Sequence, residues 1–449
     1  MSASAWTLVG FGAGFAIRLV GNVALARLLF PEAFGLMQLV GVVLTGLQMF
    51  SDIGVGAAII QSPRGDDRRF LNTAWTMQVF RGVALWGCAA VLAPVAARFY
   101  DEPRLLPLVL VAGSTCVLGG LNSTAVFAQS RHLSLRAVTF LEIGSSLAGY
   151  TIMIAWAAVV PSVWALVVGS IVTAAAKAIG SHVLLPGPRN RFFWEKDAAR
   201  ELYRFGRWVF VNTIIAFIAT QADRALLGKL VSLHILGVYG IAATLVQMLR
   251  GMIASLAGNV LFPAVSKYVH FPRSELRTKV AKYRWGVLLA GACAVSVLVV
   301  SADVVVRLLY DQRYQAAGWM LSLLAAGLWP TIVTATSEMC LWALGKTGAV
   351  ALNSGLRVVA LCVLVPIGYW RWGLPGLVLA VSLIEWARYL GAAVALARER
   401  ISFIRQDAIA TFAMLAVLAG LLAARFAAGW GSPVDQIWRT DMLAGMGAP

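Results

Sequence analysis

Residues 223–239 read DRALLGKLVSLHILGVY. An acid and a base, Asp223 and Arg224, stand side by side at the end of one long apolar stretch. Lys229 follows, then a short turn, then Gly237 and Tyr239 at the start of another apolar stretch. The two flanks decide the fold class. Each holds about 20 nearly uncharged residues, enough to cross roughly 30 Å of hydrocarbon as a helix. The quoted run is therefore a turn between two membrane spans. In this reading Asp223 and Arg224 offset each other near the outer end of the first span. Gly237 permits a tight start to the second, and Tyr239 suits the aromatic belt at the interface.

Similar windows recur through all 449 residues, of which 60% are hydrophobic and 13% charged. The mean hydropathy is +0.80. A soluble fold has no interior large enough to hide so much apolar surface. The chain reads as an all-α polytopic membrane protein with about thirteen spans. They are predicted at about 7–28, 36–59, 73–97, 105–128, 137–159, 163–185, 206–228, 236–260, 284–303, 317–343, 349–369, 375–397 and 408–428. The N-terminal MSASAWTLVG has no basic lead, so the first span is expected to be retained and not cleaved as a signal. The five cysteines fall inside spans without C-x-x-C spacing and read as small apolar core residues.

The net charge of +17 would suggest nucleic acid in a soluble protein. Here its distribution explains it without that partner. One alternating set of loops carries Arg64, Arg68 and Arg69, then Arg131 and Arg136, then the run from Arg189 to Arg204, then Lys267 to Lys282, Lys346, and Arg398 to Arg405. The other set is poorer in basic residues. Basic loops stay in the cytoplasm, which places the N-terminus there too.

The longest and most basic loop, PGPRNRFFWEKDAARELYRFGR from Pro186, reads as a cytoplasmic linker with an amphipathic helix over 194–205. It divides the chain into an N-terminal lobe of spans 1–6 (residues 1–185), the linker (186–205), and a C-terminal lobe of spans 7–12 (206–397). One extra span and a loose tail follow (398–449). The halves share a faint repeat. ALARLLFPEAFGLM starts at Ala24 and ALLGKLVSLHILGVY at Ala225; Arg27 precedes Gly35 by eight residues, as Lys229 precedes Gly237. Repeated halves are the architecture of alternating-access transporters, with the substrate site between them.

Four segments carry a family resemblance. They are FSDIGVGAAIIQ (Phe50–Gln61), the Asp223–Tyr239 run, FYDEPRL (Phe99–Leu105) and AQSRHLSLRAVTFLEI (Ala128–Ile143). Together they resemble the Wzx-type polysaccharide flippases of the MOP superfamily, over roughly residues 7–397. The resemblance implies two six-helix lobes enclosing a central cavity. It also implies transport of an undecaprenyl-pyrophosphate-linked oligosaccharide across a bacterial inner membrane, and partners in the polysaccharide polymerase and export machinery. Lipid II flippases and cation-coupled drug exporters of the same superfamily are the alternative.

Charged residues inside spans mark the candidate site. Each costs about 2.5–3.5 kcal/mol at the bilayer centre, so they should face a wet cavity or a partner. Arg18, Arg81, Arg250 and Arg357 each lie three or four residues from a small or polar residue: Gly14, Gln78, Gln247 and Asn353. That spacing puts each arginine on a polar helix face. These four are the expected substrate-binding residues, because guanidinium groups match phosphate oxygens. Pairing with an internal acid or snorkelling is the competing reading. Lys177 and Arg388 lie nearer cytoplasmic ends and are expected to snorkel, although Glu385, also inside a span, can pair with Arg388 on one helix. Asp52, Asp223 and Glu338 are candidates for H⁺ or Na⁺ coupling or for internal pairing. No G-x-x-x-x-G-K-[ST] run and no metal-ligand spacing occurs, so neither an ATP motor nor a metal or other cofactor is expected. External loops are short, which leaves a polymerase or transferase as the weaker reading and predicts no enzyme.

Overall fold

The computed structural model describes residues 3–51, 54–132, 134–187, 189–256, 258, 261–268, 270–435 and 437. Within them the regular secondary structure is helical. In order the helices are α1 (Ala3–Leu28), α2 (Pro31–Phe50), α3 (Val55–Gln61), α4 (Arg68–Phe99), α5 (Leu105–Ala112), α6 (Ser114–Gly120), α7 (Ala125–Arg131), α8 (Leu135–Val159) and α9 (Trp164–Val183). Then come α10 (Lys196–Leu230), α11 (Leu233–Leu256), α12 (Phe262–Tyr268), α13 (Arg273–Leu309), α14 (Ala317–Ala326), α15 (Leu328–Ala343), α16 (Thr347–Arg398) and α17 (Ile404–Ala427).

Nine helical stretches among the described residues are long and apolar enough to cross a membrane. A bent pair, Leu105–Gly120 with Ala125–Arg131 at 54°, makes a tenth. The expected span 36–59 is shorter than predicted. It ends at Phe50, and Gly54, at φ 60°, starts the separate seven-residue α3. The 52-residue α16 is two helices joined at Trp372 and Gly373, where the glycine takes φ 59°. Its halves fall on the expected spans 349–369 and 375–397. They fold back tightly, since a Cβ on Gly376 would lie 2.1 Å from the Gly368 carbonyl oxygen.

The chain divides into two compact units. The first comprises Met1–Phe217 with Arg224–Gly237. In it α8 packs on α1 and α9 through small residues: a Cβ on Gly149 would lie 1.7 Å from Thr173 Oγ1 and 2.9 Å from the Gly169 carbonyl. The basic linker is laid along α4 as an extended strap. The backbone N–H groups of Arg191, Phe193 and Glu195 donate to Asn72, Thr76 and Thr73, each at 3.1 Å. The amphipathic segment expected over 194–205 is no separate helix; from Lys196 it is the start of the 35-residue α10.

The quoted run earns its glycine here. A Cβ on Gly237 would lie 1.8 Å from the Pro31 carbonyl oxygen, and one on Gly35 would lie 2.1 Å from that of Leu233. The matching glycines of the repeat thus let two helix starts meet backbone to backbone, a packing role beyond the tight helix start expected of Gly237. Polar pairs flank the contact: His234 Nδ1 lies 2.9 Å from Glu32 Oε1, and Lys229 Nζ lies 2.5 Å from Asp101 Oδ2.

The second unit comprises Ile218–Asp223 with Val238–Pro449. Its spanning helix α14–α15 is the most enclosed of the candidate spans, with Trp319 and Trp329 in the core. Helix α17 packs along α13 and is fixed near both ends by buried ion pairs, described below.

Candidate functional site

In the second unit, five of the charged residues noted inside spans come together. Helix α11 supplies Arg250, α15 supplies Glu338, the first half of α16 supplies Arg357, and its second half supplies Glu385 and Arg388. Glu385 is fully buried. Its Oε1 accepts from Arg250 Nη1 at 2.8 Å. Arg357 Nε lies 2.9 Å from the same oxygen, as an ion-pair contact without hydrogen-bond geometry. Arg388 Nη1 is 3.9 Å from Glu385 Oε2, one helical turn along. Arg388 makes its closer bonds to Glu338, at 3.0 Å from Nε and 2.5 Å from Nη2. Asn353 Nδ2 donates to Glu338 at 3.5 Å.

Three guanidinium groups therefore share two buried carboxylates. The pairing makes burial tolerable, because a lone charge in a low dielectric is far costlier than a paired one. The arginines stay partly accessible: 28% for the side chains of Arg250 and Arg388, and 15% for Arg357. Such a cluster can accept an anion by exchange of partners.

The candidate ion-coupling acids are placed differently from one another. Asp223 accepts the Tyr239 hydroxyl at 2.7 Å and lies close enough to act on Arg357 electrostatically. Tyr239 is fully buried, so it is a core hydrogen-bond donor and not the interfacial residue expected. Glu338 is held by Arg388. Asp52 lies outside the described residues.

The first unit holds Arg81 and Arg18. Arg81 donates to Ser51 Oγ at 3.0 Å and to the Gln48 carbonyl at 2.7 Å. It lines a cavity of about 210 Å³ with Gln48, Gln78, Thr115 and Cys116. Arg18 is exposed and bonds back to the Gly14 carbonyl at 3.0 Å. The structure brings Arg250 and Arg357 together on Glu385, while Arg18 and Arg81 stand on α1 and α4.

The snorkelling expected of Lys177 and Arg388 is not what the structure has. Lys177 Nζ sits 2.5 Å from Glu142 Oε1, and Arg388 turns to Glu338. In each case a carboxylate on another helix offers more than a path to the interface.

Sequence reading also missed two buried pairs. Arg284 is fully buried and bonds to Asp407 at 2.8 Å, to Thr336 at 3.0 Å and to Ser337 at 3.1 Å. Tyr389 donates to Asp407 at 3.0 Å. Near the opposite end of the same helix pair, Arg425 grips Asp303 through two bonds at 2.7 and 2.8 Å. Outside the spans, the Arg64 hydrogen bond holds the Asp67 carboxyl below its ordinary range, and Arg104 does the same to Glu102.

A family model described as "Polysaccharide biosynthesis protein" matches residues 24–318. The chain belongs to that family. Among curated relatives of this Wzx-type group, the lipopolysaccharide biosynthesis protein WzxC of Escherichia coli K12 is 22% identical, over 72% of this chain and 66% of its own length. The teichuronic acid biosynthesis protein TuaB of Bacillus subtilis 168 is also 22% identical, over 62% of this chain and 57% of its own. The matches span less than two thirds of these relatives. Among solved structures, the lipid II flippase MurJ in an inward closed conformation is 13% identical, with a TM-score of 0.70 over 95% of this chain and 91% of that one. An inward-facing MATE family multidrug transporter of the MOP superfamily gives a TM-score of 0.59 at 13% identity, over 90% of this chain and 99% of that one. The family member described here thus has the MOP transporter fold in a multi-pass membrane chain.

Proposed function

We propose that the chain is a flippase for lipid-linked oligosaccharide. It moves a polyprenyl-pyrophosphate-linked polysaccharide unit from the cytoplasmic to the outer leaflet of the inner membrane, with the N-terminus in the cytoplasm. The observation that carries this reading is the cluster of three arginines on two buried carboxylates. A pyrophosphate head has several oxygens that guanidinium groups bind as forks. It would take Arg250 and Arg357 from Glu385; Arg18 and Arg81 are proposed as substrate contacts of the first unit on their own account. The prenyl tail stays in lipid, and alternating access of the two repeat-built lobes exposes the head outside. Family membership and the names of the relatives support the polysaccharide unit as cargo. A drug exporter for cations would be poorly served by a site that presents three arginines.

The test is neutral substitution at the cluster. Arg250→Gln or Arg357→Gln leaves Glu385 the other arginine as its partner, so the fold should persist. Surface polysaccharide should fall at least about tenfold, the loss expected from one charge-assisted contact. Full export by both variants, at normal protein levels, would sink the proposed site.

A further inference from the structure

The two halves of α16 leave a groove of about 500 Å³ between them in the second unit. Its wall is apolar and exposed, formed by Leu352, Leu356, Leu390 and Val394. One end is charged. Lys346 Nζ lies 2.6 Å from Glu399 Oε1, and Arg273 Nη2 lies 3.6 Å from Glu399 Oε2. Two cations thus answer one carboxylate, and the exposed Arg398 adds a third at the rim. This end carries loops of the basic set, which the charge distribution assigns to the cytoplasm.

We infer that the groove seats an anionic phospholipid of the inner leaflet, with one acyl chain along the apolar wall and its phosphate at Lys346 and Arg398. A long exposed apolar wall fits a chain in the bilayer. A rim with surplus positive charge, at the end that carries the basic loops, selects the sign of the head: basic pockets between spanning helices on the cytoplasmic side bind acidic headgroups. A zwitterionic head would bring its ammonium among like charges. A free phosphate has no tail to fill the groove.

The seat borders the arginine cluster. Asn353 is 1% exposed, lies at the groove, and donates to Glu338, the partner of Arg388. Lipid on one side of this side chain meets the ion pairs on the other.

The test uses the full chain and native mass spectrometry, with phosphatidylglycerol and phosphatidylethanolamine of identical acyl chains. Wild-type protein should retain phosphatidylglycerol about thirtyfold over phosphatidylethanolamine, the effect expected of two basic residues near a headgroup. The double variant Lys346→Gln with Arg398→Gln changes only exposed charges and should abolish the preference. Val394→Trp leaves the charges and fills the wall, and should expel the lipid. Equal retention of both lipids by wild type, or a preference that survives either variant, would overturn the inference.

Discussion

Arg250 donates to Glu385 at 2.8 Å, and Glu385 is fully buried. The carboxylate is also 2.9 Å from Arg357 and 3.9 Å from Arg388. One glutamate therefore organises arginines from both halves of α16 and from α11. Its removal should act on stability before it acts on transport.

Glu385→Ala leaves Arg250 and Arg357 without the carboxylate they contact directly. Removing one partner from a buried ion pair typically destabilises by about 3–5 kcal/mol. Thermal unfolding of the purified protein in detergent should show a large drop, with Glu385→Gln intermediate. An unchanged melting temperature would mean that the cluster is solvated and does not organise the unit.

Arg284 and Asp407 join α13 to α17 in the core. Arg284→Met strands the acid and should cost about 3 kcal/mol. The double variant Arg284→Met with Asp407→Leu should recover much of that loss, because an apolar pair of similar volume needs no desolvation of charge. Unfolding measurements on both singles and the double close the cycle. Additive losses would contradict the pairing.

Gly237 and Gly35 face backbone that cannot swing aside as a side chain would. Alanine at either position should destabilise by about 1–3 kcal/mol, the range for overpacking. Gly286 in α13 has nothing within 4 Å of an added Cβ, so Gly286→Ala is the control and should be neutral or mildly stabilising. Equal effects at Gly237 and Gly286 would remove the close-contact account.

The strap along α4 offers a pH test. Arg64 bonds both Asp67 and Glu195, at 2.8 Å each, and holds the Asp67 carboxyl below its usual range. A carboxyl lowered in the folded state contributes stability that is present above its unfolded value. That contribution fades as pH falls through the folded value. Protease cleavage within 189–196 should therefore speed up on acidification below about pH 4, the ordinary carboxylate range. Asp67→Asn should speed it at neutral pH and flatten the dependence. The groups are partly exposed, so the effect is local and small.

Much of the fold was legible because spans are long and apolar, and even the turn inside α16 is marked by Gly373 and Pro375. The repeat glycines were visible as a pattern, but their purpose was not. Only the contact with Pro31 shows why a Cβ is excluded at Gly237. Within the candidate site, Arg250 and Arg357 were found because they break apolar runs. Arg284 was passed over because it follows Lys279 and Lys282 and reads as the basic flank of a loop. Its acid partner lies 123 residues away, and a pairing at that separation leaves no mark on local spacing. Arg388 and Lys177 were misjudged for the same reason: snorkelling is inferred from depth alone, while the preference for Glu338 or Glu142 depends on a neighbouring helix.

The central claim is translocation, and it is tested most directly by the sidedness of polyprenyl-linked glycan after rapid depletion of this protein in its own host. The account predicts accumulation in the cytoplasmic leaflet together with loss of surface polysaccharide. Unchanged sidedness, in a strain with no second flippase for the same glycan, would contradict it.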